Sequence, residues 1–69
     1  MTIETIGTYA GEVFKALESC DTHILGLKQL KKVTKLKKDE LMSAIGWLGR
    51  EGKVVLTEND EDLEVALVD

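Results

Sequence analysis

The chain has 69 residues, of which 43% are hydrophobic and 32% are charged, and it carries a net charge of −4 at pH 7. This length allows one domain with one hydrophobic core, which we expect to span residues 1–69. So short a chain buries only about 60% of the surface that its unfolded form exposes, so its stability is expected to be marginal. The apolar content exceeds that of disordered chains, and the composition therefore indicates a folded domain.

The cysteine content and the distribution of apolar residues indicate a cytoplasmic location. Cys20 is the single cysteine, which excludes the intramolecular disulfide framework of small secreted domains. No apolar run approaches the roughly 20 residues of a membrane-spanning helix, and no secretion signal is recognisable at the start. We therefore expect a cytoplasmic protein with no membrane association.

The charges are sorted into two blocks of opposite sign. Residues 28–38 contain six lysines and no acid, and the rest of the chain carries a net charge of −10. Residues 58–64 contain five acids and no base. The net charge of the chain therefore does not describe either surface, and each block must be considered separately.

Apolar residues at helical spacing predict a first helix from about Thr5 to Ser19. Its apolar stripe contains Ile6, Ala10, Val13, Phe14 and Leu17. Thr5 or a nearby threonine is a suitable N-cap. The β-branched and apolar stretch over residues 22–25 then predicts a short strand.

Two further helices follow, separated by a turn over residues 34–37. Gly26 is a suitable N-cap for the second, and the spacing predicts that Leu27, Leu30 and Val33 point into the core, opposite the lysines. The third is predicted to end before Gly52. Its predicted buried face contains Leu41, Ala44, Ile45 and Leu48.

The last third of the chain predicts a β-hairpin. Segments 53–57 and 63–68 alternate or nearly alternate apolar and polar residues around the polar tract 58–62. Val55, Ala66 and Val68 are expected on the hairpin face away from the core, where an uncovered apolar strand favours pairing with another chain. We therefore expect a homodimer that forms through the hairpin or the first helix.

Residues 30–36 (LKKVTKL), the buried face of the third helix and residues 50–54 (REGKV) resemble the winged helix-turn-helix superfamily. Residues 6–7 and 10–11 (IG and AG) and 46–48 (GWL) are similar to small stand-alone prokaryotic winged-helix proteins of unassigned function. The resemblance implies an α+β fold of three helices and a small antiparallel β-hairpin, the wing, in the order α-β-α-α-β-β. It also implies DNA binding and a role in transcription regulation.

Two turn positions depart from the superfamily pattern. Lys35 stands where Gly is common, and Lys37 stands at the capping position where Ser, Thr, Asp or Pro is common. A missing N-cap costs about 1 kcal/mol, and a lysine beside the positive end of a helix is unfavourable unless an anion binds there. Two interpretations stay open, a phosphate site and a solvated lysine on a tolerated turn.

If the third helix enters a major groove, lysines of the basic block approach phosphates and residues of the helix approach base edges. The expected nucleic-acid contacts are Lys28, Lys31, Lys37, Lys38, Met42, Ser43 and Arg50. Ser43 and Arg50 offer hydrogen bonds, and Met42 offers a contact to a thymine methyl group. Asp39 and Glu40 oppose this function because they repel phosphates.

The acidic wing is the main objection to DNA binding. The tract Glu58–Asp62 contains four acids and no base, whereas a wing that grips DNA needs cationic side chains. The alternative function is a protein-interaction or assembly module, for which the glycines at positions 46 and 49 allow close approach of a partner helix.

Catalysis and metal binding find little support. Cys20 and His23 have the spacing of two zinc ligands, but a closed zinc site requires four and the chain has no other Cys or His. A nucleophilic pair of His23 with Ser19 or Ser43 requires a shaped pocket that so small a core does not provide. We expect a binding protein without a cofactor, not an enzyme.

Overall fold

The computed structural model describes residues 1–68. It contains the helices α1 (Ile3–Ser19), α2 (Leu27–Thr34) and α3 (Lys38–Arg50), and the strands β1 (Ile24–Gly26), β2 (Val54–Glu58) and β3 (Leu63–Leu67). This α+β order is the one predicted from the sequence. The strands form one antiparallel sheet in the order β1-β3-β2, so the predicted hairpin gains a third strand.

Helix α1 begins two residues earlier than predicted, and its N-cap is Thr2, a threonine near Thr5 as expected. The Thr5 N–H donates to Thr2 Oγ1 at 3.2 Å, and the Thr2 N–H donates to Thr5 Oγ1 at 3.0 Å. This reciprocal pair is a capping box with threonine in place of the usual Glu or Gln. It satisfies two backbone donors at the start of the helix.

Strand β1 begins two residues later than predicted. His23 has a positive φ of 60°, which extended backbone does not allow. Thr22 Oγ1 accepts a hydrogen bond from the Ile24 N–H at 3.4 Å. Residues 22–23 therefore form a side-chain-stabilised turn, from which the His23 carbonyl accepts a hydrogen bond from the Leu67 N–H at 3.0 Å, and the strand itself starts at Ile24.

The prediction that Val33 points into the core is wrong. Leu30 is fully buried, whereas Val33 is 56% exposed. Val33 lies six residues after Leu27, about 120° away around the helix, while the seventh residue, Thr34, returns to within about 20°. The Thr34 hydroxyl donates to the Leu30 carbonyl at 2.6 Å, which satisfies its polar group on the inner side.

The predicted buried face of α3 is confirmed, and it contributes four of the buried core residues. The core consists of Ala10, Val13, Leu17, Leu30, Leu41, Ala44, Ile45, Leu48, Val54 and Val65. Gly52, with a φ of 72°, follows the C-cap of α3 as predicted, because this conformation is strained for any residue with a side chain. The wing starts directly after it.

The sheet has one face on the core and one apolar face in solvent. Val65 is buried, whereas its neighbour Ala66 points outward, between Ile24 of β1 and Val55 of β2. Val55 is 55% exposed, and Val68 is also exposed. The prediction of an outward apolar face is therefore confirmed, and Ile24 extends it.

Candidate nucleic-acid interface

The six lysines of the basic block all lie on the exposed side of the helix-turn-helix. Lys28, Lys31 and Lys32 are on α2, whose opposite side is anchored in the core by Leu30. The turn carries two more, and the last one starts α3. Because the block contains no acid, it forms a local positive surface on an acidic chain.

The turn between α2 and α3 includes a strained backbone position. Lys35, the C-cap of α2, has φ 61° and ψ 18°, the left-handed conformation. Its N–H donates to the Lys31 carbonyl at 2.9 Å, which closes the helix. A residue with a Cβ pays about 1 kcal/mol for this conformation, so the departure from glycine places a lysine at the turn at a cost in stability.

Helix α3 starts at a lysine N-cap with no side-chain acceptor. Lys37 makes no side-chain capping hydrogen bond, because an ammonium group only donates. Instead, the Lys37 N–H donates to Glu40 Oε1 at 2.9 Å, half of a capping box. The lysine side chains at the start of α3 therefore do not cap the helix, whereas the Glu40 carboxylate accepts a hydrogen bond from the backbone there.

Glu40 also links the helix-turn-helix to α1. The Tyr9 hydroxyl donates to Glu40 Oε2 at 2.9 Å, and both side chains are half-buried. This hydrogen bond, with lesser contributions from burial and from the charges of Glu40 and Asp39, raises the pKa of Tyr9. Both Glu40 oxygens are thus engaged within the protein, and Asp39 is the exposed acid of the pair.

The sequence alone gives Asp39 and Glu40 the same role, and it does not predict this link. The signal was present, since an acid three residues after an N-cap is the capping-box position. The partner on α1 lies 31 residues away, and no local pattern connects the two positions.

The other predicted contact residues lie along α3. Arg50 is exposed and Met42 is 42% exposed, whereas Ser43 is only half-exposed. Lys38 and Arg50 stand at opposite ends of the helix, about 18 Å apart along its axis. The face between them carries Met42 and two glycines at which an added Cβ would meet nothing within 4 Å. The glycines therefore leave the helix backbone accessible on this open face.

The acidic tract forms an ordered turn. Asn59 Oδ1 accepts hydrogen bonds from the N–H groups of Glu61 at 3.1 Å and Asp62 at 2.8 Å. Asp62 Oδ1 accepts from the Leu63 N–H at 2.9 Å, and its other carboxylate oxygen occupies the space that a Cβ on Gly26 would need. Gly26 is the N-cap of α2, so Asp62 places a negative charge at the positive end of that helix.

Cys20 and His23 lie in the turn before β1. Cys20 Sγ contacts Thr22 Oγ1 at 3.4 Å and the Ile24 carbonyl at 3.6 Å, and hydrogen bonding, chiefly to the Thr22 side chain, lowers the pKa of the thiol. Within residues 1–68, no group of three or more His, Cys, Asp or Glu is arranged to hold a metal ion. No helix in this range combines the length and apolarity needed to cross a membrane.

The comparisons with known proteins agree with this architecture. The chain is similar to protein BT2368 from Bacteroides thetaiotaomicron, known from a solution NMR structure, with 30% identity and a TM-score of 0.81 over 97% of this chain and 79% of that one. No curated protein sequence matches it. The family described as "Winged helix-turn-helix domain (DUF2582)" matches residues 1–67, and the chain belongs to this family.

Proposed function

We propose that this protein binds DNA through α2, the turn and α3, and acts in the cytoplasm as a homodimeric regulator of transcription. The observation that carries the proposal is the exposure of all six block lysines on the helix-turn-helix, beside an α3 N-terminus whose Glu40 is engaged by Tyr9. Winged helix-turn-helix domains are typically non-enzymatic, and the proposed activity is binding without a cofactor.

The proposed contacts fall into two groups. Lys28, Lys31, Lys37 and Lys38 neutralise phosphates, and this sequence-independent attraction supplies most of the affinity. Met42, Ser43 and Arg50 on α3 approach the base edges. Because two of the exposed positions of α3 are glycines, the helix backbone approaches the groove closely and reads few bases, so we expect low sequence specificity.

A duplex titration at several salt concentrations tests the proposal. Four phosphate contacts predict a plot of log K against log salt with a slope of about −3.6, and Lys38→Ala should reduce that slope by about 0.9. Lys15→Ala is the matched control, since it removes an exposed lysine of α1 outside the block. Amide shifts should concentrate on residues 28–50. A duplex that causes no shifts at low salt contradicts DNA binding.

The ordered acidic turn of the wing and the open face of α3 favour protein interaction as a second candidate function. Reversing the charges of Asp60 and Glu61, both exposed at the tip, separates the two. If DNA is the ligand, the double variant should bind the duplex more tightly, because repulsion from phosphates is relieved. If an external protein is the ligand, the double variant should lose that partner in co-purification, and DNA should not bind either form.

A further inference from the structure

Within residues 1–68, strand β2 presents an unpaired backbone edge. On one side it pairs with β3. Two hydrogen bonds just beyond the strand ends join Val68 N–H to Lys53 O and Asn59 N–H to Asp62 O, both at 3.0 Å. They show that Lys53 and Asn59 direct their backbone groups toward the β3 side. In an antiparallel ladder, alternate residues direct their N–H and C=O groups toward the partner. The backbone groups of Val54, Leu56 and Glu58 therefore point away from β3, off the edge.

This edge has few of the features that protect exposed edges from pairing, since Glu58 at its end is its one charged residue. Residues 54–58 contain no lysine and no proline, and their register with β3 is continuous, without a bulge. Two apolar side chains remain open to solvent there, Val55 at 55% and Leu56 at 43%. Natural proteins cover or charge such an edge.

We propose that β2 pairs antiparallel with β2 of a second copy, about a two-fold axis through Leu56. Leu56 then lies opposite Leu56 of the second copy, and Val54 lies opposite Glu58. All outward backbone groups of both edges are used in this register, which joins two three-stranded sheets into one of six strands. The axis is perpendicular to the sheet, so the outer apolar rows of the two copies lie on the same side.

Charge complementarity favours a second copy as the occupant. The chain enters β2 through Lys53 and leaves it into the acidic tract. Antiparallel pairing places Lys53 of each copy opposite Asn59 of the other, within that tract, and keeps the two acidic turns at opposite ends. A parallel pairing would align like charges. This interface specifies the proposed homodimer and does not depend on DNA binding.

Cysteine cross-linking tests the register. In a Cys20→Ser background, Leu56→Cys places two thiols at a hydrogen-bonded pair whose Cα atoms are about 5.5 Å apart, within the disulfide range. We expect mild oxidation to convert most of this variant to a disulfide-linked dimer.

Two matched variants control the cross-linking. Val33→Cys introduces a thiol on α2 at a valine that is 56% exposed, compared with 43% for Leu56. Val55→Cys places its thiol opposite Thr57 of the second copy and not opposite the thiol introduced in that copy. Both variants should therefore cross-link slowly. The register is overturned if Leu56→Cys reacts no faster than Val33→Cys, or if Val55→Cys reacts fastest.

The mass of the free protein in solution tests the dimer itself, without DNA. We expect it to rise with concentration from 7.6 kDa toward twice that value. Lys53→Glu should weaken the dimer, because it places an acid opposite Asn59 in the acidic tract of the other copy. A constant mass of 7.6 kDa up to about 1 mM overturns the homodimer, whereas the salt-dependent duplex titration judges DNA binding separately.

Discussion

At the scale of one residue, Lys35 adds a positive charge to the turn and lowers the stability of the fold. Its left-handed backbone is relaxed by glycine, so Lys35→Gly should raise the free energy of unfolding by about 1 kcal/mol. Lys32→Gly, an exposed lysine inside α2, is the control and should lower it by a similar amount. Urea denaturation of both variants measures the difference, and the prediction fails if the two substitutions have effects of the same sign.

The hydrogen bond between Tyr9 and Glu40 predicts a pH-dependent contribution to stability. The pKa of Tyr9 is raised above its usual value near 10, so the folded state favours the neutral phenol. The contribution is complete below the unfolded pKa and is lost as the pH rises through the folded pKa. Wild type should exceed Tyr9→Phe in unfolding free energy at pH 8, and this advantage should decrease as the pH rises above 10. Lysine titration affects both proteins equally, and an advantage that persists contradicts the assignment.

At the scale of elements, the contact between Asp62 and Gly26 joins the wing to the start of α2. A Cβ on Gly26 would displace the Asp62 carboxylate, which accepts a hydrogen bond from the Leu63 N–H. Gly26→Ala should therefore cost about 1 kcal/mol. In an Asp62→Ala background the same substitution should cost much less, because the obstructing group is gone. A double-mutant cycle by chemical denaturation measures this coupling, and additive effects would contradict it.

Periodic patterns predicted the helices and the hairpin well, and irregular chemistry accounts for the differences. The buried face of α3 follows from its spacing alone, because Leu41, Ala44 and Ile45 recur at helical intervals. The prediction for Val33 is wrong because Thr34 takes the inner side of α2, where its hydroxyl donates to the Leu30 carbonyl. Local spacing does not predict the bond between Tyr9 and Glu40, which depends on the packing of α1 against α3.

At the scale of the molecule, each buried side chain of the small core contributes a large share of the free energy of unfolding. Leu30→Ala should lower the free energy of unfolding by about 2 to 5 kcal/mol, which is a large part of the stability of so short a chain. Val33→Ala, the neighbouring apolar residue that is mostly exposed, should change it by less than about 0.5 kcal/mol. Thermal unfolding followed by circular dichroism distinguishes them, and equal losses would contradict the observed orientation of α2.

The candidate site combines a basic helix-turn-helix with an acidic wing, and the sequence predicted both charges. The sequence did not predict that two of the acids make contacts within the fold. Glu40 and Asp62 each serve a helix terminus, so fewer acids face a ligand than the composition suggests. Fewer acids therefore oppose the positive charge of the basic surface than the net charge of −4 indicates.

The link between Tyr9 and Glu40 also has a spectroscopic consequence. The chain has one tyrosine, on α1, and one tryptophan, Trp47, on α3, where it packs against the core. Separation of α1 from the helix-turn-helix breaks the phenol hydrogen bond and changes the tyrosine signal, whereas melting of α3, which contains both Glu40 and Trp47, changes the tyrosine and tryptophan signals together. The sequence therefore carries two optical reporters, one on each side of the contact between α1 and α3.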